Sequence, residues 1–126
     1  MPTPKLRILL VDDTNAVREL LNTVLTAAGH TVTCATNGKA GVAMYQKGKC
    51  DLVITDYDMP EMDGGEMTSI IRVLNPKQPV LWMSGEPFAG KRLTLAETLK
   101  VKHRLNKPFT PSALMDMITS MAIKPE

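Results

Sequence analysis

Five side chains in this sequence combine the chemistry needed to take up a phosphoryl group. Three are the carboxylates of Asp12, Asp13 and Asp56, and the others are the Ser84 hydroxyl and the Lys107 ammonium. Crowded carboxylates repel one another unless a cation neutralises them, and Mg²⁺ prefers such oxygen ligands. A carboxylate can attack phosphorus while a metal ion, an ammonium and a hydroxyl share the developing charge. If the fold brings these residues together, they predict an acyl phosphate on Asp56.

The five residues follow short segments whose composition is typical of β-strands. Apolar runs cover residues 6–11, 52–55 and 80–83, whereas residues 31–35 and 101–105 alternate between polar and apolar side chains. Continuous apolar strands suit the middle of a parallel sheet, and alternating strands suit its edges. The second and fifth strands are therefore expected at the two edges.

Helical spacing of apolar residues predicts a helix after every strand. The expected helices cover residues 15–28, 37–47, 67–74, 91–99 and 110–121. Five β-α units in succession predict an α/β fold, with a five-stranded parallel sheet of flavodoxin-like order 2-1-3-4-5 and helices on both faces. Residues 1–126 are expected to form a single domain whose core covers about residues 5–122.

In such a sheet the carboxyl ends of the strands meet at one rim, where all five side chains would share a pocket. Each residue also has an ordinary structural role available, because an Asp pair can cap a helix, Ser84 can lie in a turn and Lys107 can be solvated. Their joint occurrence at consecutive strand ends favours a functional site. Mg²⁺ is the expected ion, since the set lacks the Cys and His ligands that zinc prefers.

The composition is that of one globular domain. The chain has 126 residues, of which 44% are hydrophobic and 22% charged. Its formal net charge of +2 gives no indication of nucleic-acid or membrane binding. No apolar run approaches the roughly 20 residues of a membrane span, and the N-terminus lacks the apolar core of a signal peptide. We therefore expect a cytoplasmic location.

Four motifs give the chain a family resemblance over essentially its whole length. They are Asp12-Asp13 after the first strand, TDYDMPEMDG at residues 55–64, Ser84-Gly85 after the fourth strand and Lys107-Pro108-Phe109 after the fifth. On these motifs the chain resembles the receiver domains of two-component response regulators. The resemblance implies that Asp56 accepts a phosphoryl group from the phosphohistidine of a sensor histidine kinase or a phosphotransfer protein.

The resemblance also implies a metal site. In such a site Asp13, Asp56 and the backbone carbonyl of Asp58 hold Mg²⁺, and Asp12 acts mainly through water. A receiver of this kind is a phosphoacceptor rather than an enzyme with turnover. Only self-catalysed phosphorylation and dephosphorylation are expected.

Further implications concern the switch. Ser84 is expected to move toward the phosphoryl group, and the Lys107-Pro108 bond is expected to be cis. The family often has an aromatic switch residue at the position of Arg104. We therefore expect the Arg104 side chain to sample two salt-bridged or solvated positions in place of the aromatic rotation. Asp58 and Glu86 are expected to flank the approach of water to the phosphoryl group.

One side of the expected fold is rich in basic residues. Residues 91–107 contain one acidic residue, Glu97, and six basic residues. The basic residues are Lys91, Arg92, Lys100, Lys102, Arg104 and Lys107. The same side resembles the family's output surface, which favours an acidic target protein. A solvated edge that protects the fifth strand from aggregation is the alternative.

Two other functions fit part of the pattern. Asp56-Tyr57-Asp58 resembles the nucleophile and acid pair of a metal-dependent phosphohydrolase of haloacid dehalogenase type, although an early acidic pair at Asp12-Asp13 departs from that family. The other alternative is a receiver-like module that binds partners without phosphorylation.

No linker or effector domain follows Met121, so the sequence suggests a stand-alone receiver. It is expected to be a monomer or weak dimer. We expect it to act through a separate protein rather than on nucleic acid or a membrane.

Overall fold

The computed structural model describes residues 4–125 as five strands and five helices that alternate along the chain. The strands form one parallel sheet in the order β2-β1-β3-β4-β5. The bounds are β1 Arg7–Val11, α1 Asn15–Ala27, β2 Thr31–Ala35, α2 Gly38–Lys47, β3 Leu52–Asp56, α3 Gly64–Leu74, β4 Val80–Ser84, α4 Lys91–Thr98, β5 His103–Asn106 and α5 Pro111–Ser120. The predicted α/β fold and strand order are confirmed.

Side chains of the central strands alternate between two hydrophobic cores. Leu9, Val53 and Trp82 face a core that α2, α3 and α4 cover. Leu10 and Ile54 face the opposite core, which α1 and α5 cover. Every residue of β3 and β4 is buried, whereas β2 and β5 are partly exposed, as expected for edge strands.

Two boundaries differ from the sequence-based expectation. Strand β5 begins at His103 rather than residue 101, because Lys100 has a positive φ of 58° and the Val101 N–H donates to the Ala96 carbonyl at 2.8 Å. These residues close α4 instead of joining the sheet. Helix α3 begins at Gly64, three residues before the expected start, because Asp63 and Glu66 form a capping box there.

The helices are short. The longest, α1, has 13 residues. Crossing a bilayer takes about 20 predominantly apolar residues. No helix within residues 4–125 combines the length and the apolar character that a membrane span requires.

Candidate metal and phosphoryl-transfer site

The strand register brings four strand ends to one rim of the sheet. Val11 lies opposite Thr55, Asp56 opposite Met83, and Ser84 opposite Asn106. Asp12 and Asp13 follow β1, Asp56 and Ser84 end β3 and β4, and Lys107 follows β5. The positions predicted from the sequence therefore converge at this rim.

Three carboxylates form the acidic part of the rim. Asp12, Asp13 and Asp56 each offer an oxygen, and these oxygens lie within 4.8 Å of one another. Asp12 and Asp56 are buried, with exposed fractions of 0% and 5%, whereas Asp13 is exposed. An all-oxygen donor set that is open to solvent on one side fits Mg²⁺, which usually keeps several waters.

The carboxylate of Asp12 is held by the protein on both oxygens. Its Oδ1 accepts the Thr14 N–H at 2.9 Å, and its Oδ2 lies 3.1 Å from Lys107 Nζ. Thr14 is the N-cap of α1 but makes no side-chain capping bond. Asp12 therefore fixes the start of α1 and also lies in the site. The sequence had left helix capping and membership of the site as alternatives for this residue, and the structure shows both.

Lys107 places its ammonium beside two carboxylates of the acidic cluster. Its Nζ lies 3.1 Å from Asp12 Oδ2 and 3.5 Å from Asp56 Oδ1. The Lys107 N–H donates to the Ser84 carbonyl at 2.7 Å, and the Lys107-Pro108 bond is cis, as expected. Two buried carboxylates thus share one ammonium. With the third carboxylate, Asp13, the acidic cluster retains an excess of negative charge.

The environment of Asp56 disfavours its charged form. Burial raises its pKa to about 6, Lys107 opposes this shift, and the charges of Asp12 and Asp13 add to it. Asp56 remains mostly ionised at neutral pH, in surroundings that penalise that charge. Such a carboxylate gains from a bound cation and is a candidate nucleophile.

Ser84 lies at the rim, but its hydroxyl is engaged elsewhere. Its Oγ donates to Asp58 Oδ2 at 2.5 Å and accepts the Glu86 N–H at 3.0 Å and Arg92 Nη1 at 2.8 Å. Asp58 follows β3 in the loop toward α3, and its side chain points to Ser84 and Arg92. The part played by the Asp58 backbone carbonyl stays a prediction.

Arg92 is a residue beside the rim whose contacts the sequence reasoning missed. The sequence placed it on an outer basic surface; its side chain is partly exposed, but it also hydrogen-bonds Asp58 and lies 3.5 Å from Glu86 Oε2. Burial of Asp58 would by itself raise the pKa of its carboxyl group. Hydrogen bonds from Arg92 and Ser84 outweigh this effect and lower that pKa below its usual value. No sequence motif links Arg92 to a serine eight positions earlier.

The other basic residues of this side divide into two groups. Arg104 is half-buried, and its Nη1 donates to the Val101 carbonyl at 2.8 Å. Lys91, Lys100 and Lys102 are exposed, as is Glu97. The exposed basic surface is therefore narrower than the sequence suggested.

Comparison with known proteins identifies a family and several relatives for this chain. The family model described as response regulator receiver domain matches residues 8–119. Chemotaxis protein CheY of Thermotoga maritima is 32% identical over 92% of this chain and 97% of that protein. Transcription factor SKN7 of Candida albicans is 32% identical over 100% of this chain, which spans only 22% of that protein's length.

The fold also matches solved structures. The response regulator TrrA of Thermotoga maritima, solved in complex with Mg²⁺-BeF, superimposes with a TM-score of 0.82 at 28% identity. The superposition covers 94% of this chain and 99% of that one. The likeness therefore extends over nearly the whole chain.

Proposed function

We propose, because this chain belongs to the response regulator receiver domain family, that its Asp56 accepts a phosphoryl group and thereby switches a protein-protein interaction surface. The observation that carries the proposal is the convergence of Asp56 with Asp12, Asp13 and Lys107 at one rim of the sheet. Receiver domains are phosphorylated by histidine kinases or phosphotransfer proteins.

The transfer itself is a displacement at phosphorus. A carboxylate oxygen of Asp56 attacks the phosphorus of a phosphohistidine, the O–P bond forms, and the P–N bond breaks. The departing histidine nitrogen keeps the electron pair of that bond and is protonated from solvent. Lys107, whose Nζ lies 3.5 Å from Asp56 Oδ1, is close enough to pair with a phosphoryl oxygen.

Asp13, Asp56 and the backbone carbonyl of Asp58 are the groups that we propose to hold Mg²⁺. Asp12 would contribute mainly through water, which fits its two oxygens already accepting hydrogen bonds from Thr14 and Lys107. When bound, the ion supplies charge that offsets the repulsion between these carboxylates and the incoming phosphoryl oxygens.

The surface that we propose to contact the target is the exposed basic side of α4 and β5. Lys91, Lys100 and Lys102 are exposed there, which suits an acidic target protein. A Lys91→Glu/Lys102→Glu variant should keep phosphorylation of Asp56 and lose phosphorylation-dependent target binding. Lys39→Glu/Lys47→Glu, an equal charge change at two exposed residues of α2, should keep both.

Intact mass after incubation with acetyl phosphate tests the central proposal. We expect one added phosphoryl group that requires Mg²⁺ and that Asp56→Asn abolishes. Asp116→Asn, an exposed aspartate of α5, is the matched control and should keep the adduct. Catalytic release of phosphate without an adduct would favour the phosphohydrolase. Neither an adduct nor release would favour a binding module that works without phosphorylation.

A further inference from the structure

We propose that Arg92 is a positioning residue that holds the Ser84 hydroxyl on Asp58 in the unphosphorylated protein and releases it when Asp56 is phosphorylated. We call the contacts of Arg92 with Ser84, Asp58, Glu86 and Tyr57 the Arg92 latch. This inference rests on the proposed function, since its trigger is the phosphoryl group on Asp56.

The latch ties together the two loops that border Asp56. Arg92 Nη1 donates to Ser84 Oγ at 2.8 Å, and Nη2 donates to Asp58 Oδ1 and lies 3.5 Å from Glu86 Oε2. The guanidinium carbon also lies 4.4 Å from the centroid of the Tyr57 ring. The planar fork of arginine permits this combination of paired hydrogen bonds and stacking, which a lysine ammonium cannot reproduce.

The Ser84 hydroxyl has no hydrogen-bonding capacity left over. A hydroxyl has one hydrogen to donate and two lone pairs to accept with. Ser84 Oγ donates its hydrogen to Asp58 Oδ2 and accepts from Arg92 Nη1 and the Glu86 N–H. It cannot donate to a phosphoryl oxygen on Asp56 without leaving Asp58.

A phosphoryl group on Asp56 competes for that hydrogen. Both acceptors are charged, but the Asp58 carboxylate already pairs with Arg92, whereas a phosphoryl group brings three strong acceptor oxygens with no such partner. When Ser84 turns to the phosphoryl group, its Oγ is withdrawn from Arg92 as well as from Asp58. Phosphorylation therefore breaks the latch at its buried end.

Breaking the latch affects the first turn of α4. Arg92 is the second residue of this eight-residue helix, and no side chain caps the N-terminus. The N-cap, Gly90, has a φ of 58°, a conformation that glycine adopts without strain. Arg92 thus links the turn that carries exposed Lys91 to Ser84 and Asp58. This route connects Asp56 with the α4 surface without an aromatic residue at position 104, where Arg104 is bonded to Val101.

Beryllofluoride with Mg²⁺, a stand-in for the phosphoryl group, tests the latch. We expect Arg92→Gln to bind it about 5-fold more tightly than wild type, because the free variant no longer holds Ser84 back. Lys77→Gln, an equal charge change at an exposed residue before β4, should bind like wild type. Amide spectra add a readout of position: the Glu86 and α4 first-turn signals of free Arg92→Gln should lie close to those of ligated wild type.

Arg92→Lys provides a second variant that keeps the positive charge beside Asp58 but loses the fork, and it should change affinity in the same direction. Equal or weaker binding by a folded Arg92 variant would overturn the inference while leaving phosphorylation of Asp56 intact. Failure of wild type both to bind beryllofluoride with Mg²⁺ and to gain a phosphoryl group from acetyl phosphate would overturn the proposed function and, with it, the latch.

Discussion

Asp51 and Asp56 are aspartates that lie at opposite ends of β3, Asp51 immediately before the strand and Asp56 as its last residue. Both are buried, with exposed fractions of 6% and 5%. Asp51 accepts three hydrogen bonds from Arg7, one from the backbone N–H at 2.7 Å and two from the guanidinium at 3.1 and 3.3 Å. Asp56 shares the Lys107 ammonium with Asp12 and has Asp13 nearby.

Burial alone therefore does not distinguish a structural carboxylate from a functional one. The distinction lies in the partners, because the charge of Asp51 is matched by one cation with good geometry and that of Asp56 is not. A well-paired carboxylate of the first kind holds elements together, here β1 and the start of β3, although the Arg7 side chain itself is half exposed. A crowded carboxylate of the second kind is left ready for a cation and an electrophile.

The largest expected difference between Asp51 and Asp56 is in phosphorylation. Asp56→Asn should abolish the phosphoryl adduct completely and also raise the free energy of unfolding by about 1 to 2 kcal/mol at pH 7 without Mg²⁺. The folded-state pKa of Asp56, about 6, exceeds its ordinary 3.8, so wild type loses stability as the pH rises through this interval. Urea unfolding at pH 5 and pH 7 should show this loss in wild type alone.

Lys107, the cation beside Asp56, should affect phosphorylation, whereas Arg7, the cation beside Asp51, should not. Lys107→Ala should slow adduct formation by about 100-fold, since a positioned donor to a transferring group typically contributes that much. Asp56 itself should remain able to accept the phosphoryl group, and coupling to target binding should be lost. Timed intact-mass measurements give the rate. Arg7→Ala should leave this rate unchanged, and an equal slowing would contradict the division of roles.

Removal of the structural carboxylate should act on stability alone. Asp51→Ala eliminates three hydrogen bonds to Arg7 and should lower the free energy of unfolding by about 2 kcal/mol. The urea midpoint measures this change. The folded fraction should still take up one phosphoryl group, and a loss of uptake would show that the two ends of β3 are coupled.

Mg²⁺ should stabilise one end of the strand only. At about ten times its Kd, the ion should raise Tm by about 5 °C, because it offsets repulsion among the rim carboxylates. Asp13→Ala should remove this shift, whereas Asp51→Ala should keep it at a lower starting Tm. Thermal scans with and without the ion provide the test, and a shift that persists in Asp13→Ala would place the ion elsewhere.

The smallest expected effect is a pH dependence of opposite sign from His30, which immediately precedes β2. His30 is buried, and its Nδ1 accepts the Leu6 N–H at 3.1 Å. Burial, with a contribution from Lys5, lowers the pKa of His30 below 6.5, so the fold favours the neutral ring. Stability is then complete above pH 6.5 and declines as the pH falls below it.

This slope is best measured in the Asp56→Asn background, which removes the opposite trend at the rim. His30→Asn retains a side-chain acceptor but cannot be charged, and it should make the decline shallower. Burial, with Lys102 and Arg104, also lowers the pKa of His103, which accounts for the remaining slope. Unfolding free energies between pH 7.5 and pH 5.5 give the comparison, and a slope unchanged by the substitution would assign the whole decline to another group.

The sheet and the positions of the site residues could be predicted because one strong signal encodes both. Apolar runs at residues 6–11, 52–55 and 80–83 place these strands in the centre, and each run ends close to a polar residue of the site. Parallel pairing then brings those residues to one rim. Local patterns also indicated the helices, although the capping box at Asp63 shifted the start of α3.

Arg92 could not be predicted in the same way. Its partners come from two loops, and its direction depends on the positive φ of Gly90, neither of which leaves a periodic signal in the sequence. The start of β5 was missed for a related reason, because the positive φ of Lys100 is a property of the folded turn. Long-range side-chain contacts and backbone turns set these features.

Trp82, the single tryptophan of the chain, is fully buried beside the rim. Its ring lies edge-on to Tyr57 with centroids 5.0 Å apart, and Tyr57 in turn carries the Arg92 guanidinium on its face. The Trp82 Nε1–H donates to Thr68 Oγ1 at 2.9 Å, which fixes the indole in place. An indole that is shielded from water but linked to a movable cation through one ring is an intrinsic fluorophore for the site. Its emission in a stopped-flow experiment would time the release of Arg92 without any attached dye.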